Sequence, residues 1–492
     1  EALVSIDLHA ASLKNTPLIK PGTSVPCAPA ESGPMVSVRR TPSVRALLHL
    51  VWVGMALFLF SAAAHADEPA PSEGAAPACA GLLPVPEYGD CWTRRPLVSG
   101  DWGGRRTRLA KRGVALRADW VQVAQGVVDG GTRERWAHTT NLDLYATFDL
   151  GPMGISRGGL VSARAQSRLG STVNGDTGSL LPVNTFGYFP YTSILDEEVP
   201  IALTEFNWLQ MLSGTFGILV GKITTMSVAN EFAGGEGRTQ FMNFQFLFPS
   251  VFAQIAPYST LAAGVVWAPS PRVSVTSLLL NLEDASTDTG FDDFDKGQTW
   301  WTNVDGNYRV GCLPGGVTLG AGYAFNANFA RIGGLNLDPG GVPTLRTESD
   351  TWAAFASAWQ YLIPMEPVRD VDPSDGRQDL RGLGAFAILG VGDESANPVR
   401  FSIAGGLSGR GLVRGRCSDT CGVGYFYNRQ ADRLSGTALG RVLRGGSQGA
   451  EAYYRFAIAE AIGVTLDAQW SDSAIRGVGD AFLLGARFHV DI

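Results

Sequence analysis

From about residue 114 to the last residue, apolar and polar positions alternate with a period of two, the pattern of strands whose two faces meet different surroundings. Residues 141–150 show it most clearly. Leu142, Leu144, Ala146, Phe148 and Leu150 share one face, and Asn141, Asp143, Tyr145, Thr147 and Asp149 share the other. In the same way Leu116, Ala118 and Trp120 oppose Arg117 and Asp119, and Val161, Ala163 and Ala165 oppose Ser162, Arg164, Gln166 and Arg168. Residues 317–325, 464–470 and 482–492 repeat the alternation. Faces opposed so fully, with charge on the polar one, need two opposite solvents. The pattern therefore predicts an all-β fold, a transmembrane antiparallel β-barrel with lipid outside and water within.

A soluble sandwich or propeller also alternates. Its strands average about five residues, whereas these run for roughly nine to eleven, and the apolar face continues to Ile492. Without its leader the chain offers about 24 residues per strand for sixteen strands, enough for a strand of about ten residues, a short turn and a longer loop. Sixteen strands are expected, with eighteen as the neighbouring count, and either width leaves an aqueous channel. Trp136, Trp208, Trp267, Trp300, Trp301, Trp359 and Trp470 lie near strand ends and suit interfacial girdles. Residues 170–200, 232–257 and 334–347 read as loops, one of which would narrow the channel.

The region before the alternation carries targeting information. Residues 1–34 have no Met start and read as a non-native upstream extension. Residues 35–66 read as a signal peptide: Arg39, Arg40 and Arg45 precede the apolar run 46–60, and Ala64-His65-Ala66 offers a cleavage site. A membrane anchor is the competing reading of that run. Residues 67–98, rich in Pro, Ala and Glu, form a flexible periplasmic leader, 99–112 hold a motif and a short helix, and 113–492 form the barrel.

Composition adds three points. The 61 glycines exceed the usual share of roughly 7%, and imply many tight turns. The net charge is −7, and five basic against three acidic side chains in 1–66 leave −9 for the rest, a balance that excludes a nucleic-acid partner. Beyond residue 66 the histidines are His138 and His489, too few for a metal or cofactor site, and no nucleophile motif accompanies them, so no enzyme is expected. Export permits disulfides, and two local staples are plausible, Cys417 with Cys421 and Cys79 with Cys91, leaving Cys312 unpaired.

The stretch Ser99-Gly100-Asp101-Trp102-Gly103-Gly104-Arg105-Arg106-Thr107, followed by Leu109 and Gly113-Val114, resembles the opening motif of the carbohydrate-selective porins of the OprB family. Residues 202–208, Gly221-Lys222, 230–233 and 239–243 are similar to a second stretch of that family, and 451–454, 467–470 and 481–488 to a third. The resemblance implies a sixteen-stranded barrel in the outer membrane of a Gram-negative-type bacterium, passing monosaccharides such as glucose by facilitated diffusion. Ile492 stands where the family has a terminal aromatic, and the segment between Cys417 and Cys421 departs from the expected pattern. Within the motif, Asp101 is read as a cap for the following helix and the glycines as a sharp bend before it.

A diffusive pore needs fixed charges and hydrogen-bonding groups at its narrowing. The inward alternation nominates Arg117, Asp119, Asp143, Arg164, Arg168, Glu205 and Asn207, with Lys222, Asn243, Glu451, Tyr453 and Arg455 beside them. Expected partners are outer-membrane lipid, small sugars and the barrel-assembly machinery, with the protein as a monomer or homotrimer. A general or anion-preferring porin is the alternative, the latter wanting a ladder of Arg and Lys.

Overall fold

The structure, a computed structural model, describes residues 81–89, 91–185, 198–226, 230–292, 294–337, 343–366 and 380–492. The expected extension, the signal peptide and residues 67–80 of the leader, with Cys79, lie outside the described residues.

A short helix α1 (Arg105–Lys111) precedes β1 (Val114–Gly131), β2 (Arg135–Asp149), β3 (Gly159–Gly170), β4 (Val199–Met211), β5 (Phe216–Thr224), β6 (Ser259–Ser270), β7 (Val273–Asn281), β8 (Gln298–Val310) and β9 (Leu313–Phe325). After these come β10 (Phe329–Leu337), β11 (Pro343–Glu348), β12 (Thr351–Pro364), β13 (Gly382–Gly392), β14 (Val399–Arg410) and β15 (Thr420–Gln430). A helix α2 (Ala438–Val442) leads to β16 (Gly446–Ala459), β17 (Ile462–Ser471) and β18 (Gly479–Asp491). Each strand pairs antiparallel with its neighbours, β9 pairs directly with β12, and β18 closes on β1 through partners such as Trp120 and Val490. The result is the expected closed barrel of sixteen strands, with β10 and β11 forming a separate hairpin.

The outside of the barrel is apolar and the inside is polar, the reverse of a water-soluble protein. Leu144, Leu203, Leu279, Leu466 and Leu484 are exposed, whereas Asp143, Arg164, Gln469 and Arg487 are buried. Of the tryptophans expected in girdles, Trp136, Trp208, Trp267 and Trp300 face outward. Trp301 and Trp359 are buried instead, because a strand turns successive side chains to opposite faces and both positions fall on the inward set.

The two rims differ. One carries the two-residue turns joining β6 to β7, β8 to β9 and β16 to β17, together with both ends of the barrel chain; the other carries the long connections 171–198, 225–258 and 282–297. Short turns face the periplasm in such barrels.

At the short-turn rim Gly103 and Gly104 take left-handed backbone (φ 68° and 84°) and turn the chain into α1. Asp101 caps that helix from outside: its Oδ1 accepts the Thr107 backbone N–H at 2.7 Å and the Thr107 hydroxyl at 2.8 Å. Arg106 is buried between Tyr88 and Trp102 and donates to Ser99 Oγ at 2.7 Å, to the Leu116 carbonyl and to the Ile492 carbonyl at 3.2 Å. The motif thus clasps the seam between the first and last strands.

The expected staple of Cys417 with Cys421 is corrected, since both are free thiols, and the expected staple of Cys79 with Cys91 involves a residue outside the described ones. Arg416 donates to both Asp419 oxygens (2.7 and 2.8 Å), and Cys421 is held in the strand ladder opposite Gly409 and Tyr454, so this turn is shaped by an ion pair and by register. Cys312, read as unpaired, is disulfide-bonded, and its partner lies outside the described residues.

Candidate functional site

Two long connections fold into the barrel. In 171–185 Val173, Val183 and Asn184 are buried, and in 230–258 Phe241, Phe246, Phe248, Phe252 and Ile255 are almost fully so. The second segment divides the lumen into two unlike halves.

On one side its aromatic rings meet the inner faces of β8, β9 and β12 to β15. Phe252 lies 5.0 Å from Trp301 and 5.2 Å from Phe355, Phe241 lies 5.3 Å from Phe386, and Phe246 lies 5.8 Å from Phe426. The strands make room with inward glycines. A Cβ at Gly384 would overlap Phe232, one at Gly424 would overlap Phe246, and one at Gly322 would crowd Phe252 and Ile255. Some of the glycines read as turn residues are therefore mid-strand pads for this loop.

On the other side the loop meets β1 to β4 through charge. Arg238 pairs with Asp119 and Asp143, and lies 3.3 Å from Glu236. Arg164 reaches Asp143 at 2.8 Å and Glu205 at 3.2 Å, and grips Glu236 with both terminal nitrogens, at 3.0 and 2.5 Å. Arg117 lies 3.4 Å from Asp119 with its guanidinium over the Tyr145 ring. Tyr145 and Gln166 donate to Asp143 at 3.2 and 3.0 Å, Tyr258 donates to Gln166 at 2.6 Å, and Thr224 donates to Glu205 at 2.6 Å. A β-bulge aims Glu205: the register between β3 and β4 slips between Arg164 and Ala165, so Thr204 and Glu205 both point inward.

Glu236 stands apart from the other carboxylates. It sits in left-handed backbone (φ 47°, ψ 31°) between Gly235 and Gly237, and its side chain is 24% exposed, while those of Asp119, Asp143 and Glu205 are 1%, 0% and 8% exposed. Burial raises its pKa, but Arg164 and Arg238 outweigh burial and hold it below the usual glutamate range.

Of the twelve candidates, Asp119, Asp143, Arg164, Glu205 and Arg117 come together in this network. The others do different work. Glu451 accepts the Met242 and Asn243 backbone N–H groups at 2.6 and 2.9 Å, Asn243 donates to Gln469 at 3.1 Å, and Tyr453 shares a hydrogen bond with Ser408 while packing on Phe241, so these three hold the loop. Lys222 donates to the Asp288 carbonyl at 2.7 Å, and Asn207 to the Lys222 carbonyl at 3.4 Å. Arg455 lies flat over Gly463, and Arg168 is buried on the inner face of β3. His138 is exposed on the outer face and His489 is buried on the inner one, so they share no site.

Glu236, Arg238, Tyr145, Gln166 and Tyr258 were not among the candidates. Tyr145 and Gln166 stood on the polar faces already recognised, so they were within reach of the alternation. Glu236 and Arg238 belong to Gly234-Gly235-Glu236-Gly237-Arg238, a loop segment with no periodicity to orient it.

A cavity between the halves joins both chemistries. Asn141, Arg164, Gln166, Glu236, Arg238 and Tyr258 supply donors and acceptors, while Phe244 and Phe248 supply an apolar wall.

A family model for the carbohydrate-selective porin, OprB family, matches residues 133–492. Among solved structures, the high-pH structure of Pseudomonas putida OprB is 20% identical, with a TM-score of 0.68 over 82% of this chain and 100% of that one. The low-pH structure of the same protein is 17% identical, with a TM-score of 0.50 over 81% and 99%. At these identities the likeness is one of fold. A comparison with curated proteins finds no match.

Proposed function

Because this chain belongs to the OprB family of carbohydrate-selective porins, we propose that monosaccharides such as glucose cross its barrel by diffusion through the polar lumen that the inward loop narrows. It is an outer-membrane channel, and its barrel encloses a polar interior within an apolar outer surface. The observation that carries the proposed path is the polar wall of the lumen beside the loop. A pyranose presents hydroxyls around its ring. Glu236 and Arg117, the most exposed members of the charged network, suit those hydroxyls. A sugar can then exchange water contacts for protein contacts at little net cost, as a diffusive pore requires.

Glu451, Asn243 and Arg487 support the reading by fixing the loop that narrows the lumen, Arg487 donating to the Gly237 carbonyl and, at 2.6 Å, to the Gln240 carbonyl. The barrel acts as a monomer or homotrimer once the assembly machinery has inserted it. Liposome swelling with the refolded protein tests the proposal, using glucose, a disaccharide, an amino acid and a phosphate ester at equal osmolarity. Fastest swelling with glucose is expected. Rates that follow solute size alone would make it a general porin, and fastest swelling with the phosphate ester an anion porin.

A further inference from the structure

The outer wall of the barrel breaks its apolar pattern on β1, β2 and β3. Val121, Val123 and Gln125 are buried on the inner face of β1, so Gln122 between them points outward, toward lipid. Thr140 stands directly opposite it on β2, between the buried Thr139 and Asn141, and Ser167 points outward on β3 between the buried Gln166 and Arg168. Among the described residues none of these three side chains has a hydrogen-bond partner. Polar groups on other strands of the outer wall are satisfied at home. Ser277 accepts the Trp300 ring N–H at 2.9 Å and lies 2.9 Å from the Thr302 hydroxyl, and Gln448 accepts the Tyr425 hydroxyl at 2.5 Å.

Depth makes the exception costly. Trp136, 60% exposed in the outer girdle, lies opposite Gly126, four residues beyond Gln122 on β1. At about 3.3 Å per residue and a tilt of about 40°, Gln122 sits roughly 10 Å below that girdle, near the middle of an apolar band about 25 Å tall. Hydrocarbon offers an amide no hydrogen bond, so a partner must come from protein. The surrounding wall is low enough to admit one: Ala118, Ala124 and Gly126 on β1 and Ala163 and Ala165 on β3 face outward with it. Just above, the wall has a hollow floored by Ala124 and Gly170 and edged by His138 and Ser171.

We propose that the outer wall of β1 to β3 is where one copy of this channel meets a second copy in the membrane, the Gln122 amide of each bonding to the partner's Gln122. Copies inserted in one orientation are related by an axis along the bilayer normal, so each residue meets partner residues at its own depth. An amide carries both a donor and an acceptor and is therefore its own complement. The alternatives at that depth offer less. Acyl chains have neither donor nor acceptor, and the Ser277 and Gln448 groups of another copy are already bonded within their own wall. Self-pairing leaves no amide exposed to lipid.

Cross-linking tests the place of the contact. The wild type, Thr140→Cys and Leu389→Cys are oxidised in outer membranes with copper phenanthroline and run on non-reducing gels, Leu389 being 42% exposed on β13, a different side of the barrel. The wild type measures the background from the native thiols Cys417 and Cys421. Thr140→Cys should give a cross-linked band at least tenfold stronger than the wild type or Leu389→Cys. Energy transfer between dye-labelled copies in lipid vesicles tests the role of the amide. Gln122→Leu suits a lipid-facing position and keeps the barrel folded, which its heat-dependent gel mobility checks. Its dissociation constant for self-association should rise at least tenfold, while that of Leu389→Ala matches the wild type. A Thr140→Cys band no stronger than background, equal cross-linking at both positions, or Gln122→Leu associating as tightly as the wild type would overturn the proposal.

Discussion

The two halves of the lumen hold the same loop by opposite means. Against β9 and β12 to β15, Phe241, Phe246 and Phe252 press into hollows left by glycine, and the contact is apolar. Against β1 to β4, Arg238 and Glu236 meet Asp119, Asp143 and Arg164. Aromatic burial is strong and indifferent to the solute, whereas buried charge is costly to form and sensitive to what approaches it. The difference teaches a division of labour: the aromatic half fixes the loop, and the charged half is free to discriminate.

The largest way to break this division is to unpair the charged half. Arg238→Ala leaves Asp119 and Asp143 without their shared partner, and removing one side of a buried ion pair costs about 3–5 kcal/mol. The thermal unfolding of the barrel, followed by its gel-mobility shift, should fall accordingly, while the aromatic contacts keep the loop inside. A variant as stable as the wild type would show that the network does not hold the loop tip.

A smaller effect is expected from the aromatic half. Gly384→Ala places a methyl group against the Phe232 ring, and overpacking of this kind costs about 1–3 kcal/mol. Single-channel conductance should rise as the loop is pushed off the wall. A lower melting point with unchanged conductance would mean that the pads do not set the bore.

The smallest expected effect is one of pH. Glu236 has a folded pKa below its unfolded value of about 4.3, so its contribution to stability is present above that value and is lost as pH falls through the depressed one. Wild-type melting temperature should therefore drop below about pH 4 more steeply than that of Glu236→Gln. Parallel curves would remove Glu236 from the stability of the charged half.

Legibility in the sequence followed the range of the interactions. Inward facing of Asp119, Asp143, Arg164 and Glu451 was readable, because strand alternation is local. The count of sixteen was readable, because it depends on mean repeat length. Glu451 facing inward did not reveal that it holds Met242 and Asn243, contacts that span more than 200 residues of chain. Nothing local to Gly384 and Gly424 showed that Phe232 and Phe246 would be seated on them. Glu236 and Arg238 lie in a loop whose course is set by distant walls, so no local pattern could place them beside Arg164.

The most direct test of the division of labour is block of single-channel current by glucose, measured for the wild type, for Gln166→Ala in the charged half and for Phe426→Leu in the aromatic half. Glucose should block the wild type and Phe426→Leu at similar concentrations, and Gln166→Ala should need about tenfold more, the equivalent of one hydrogen bond. Block weakened in Phe426→Leu and untouched in Gln166→Ala would contradict the account, because recognition would then lie in the aromatic half.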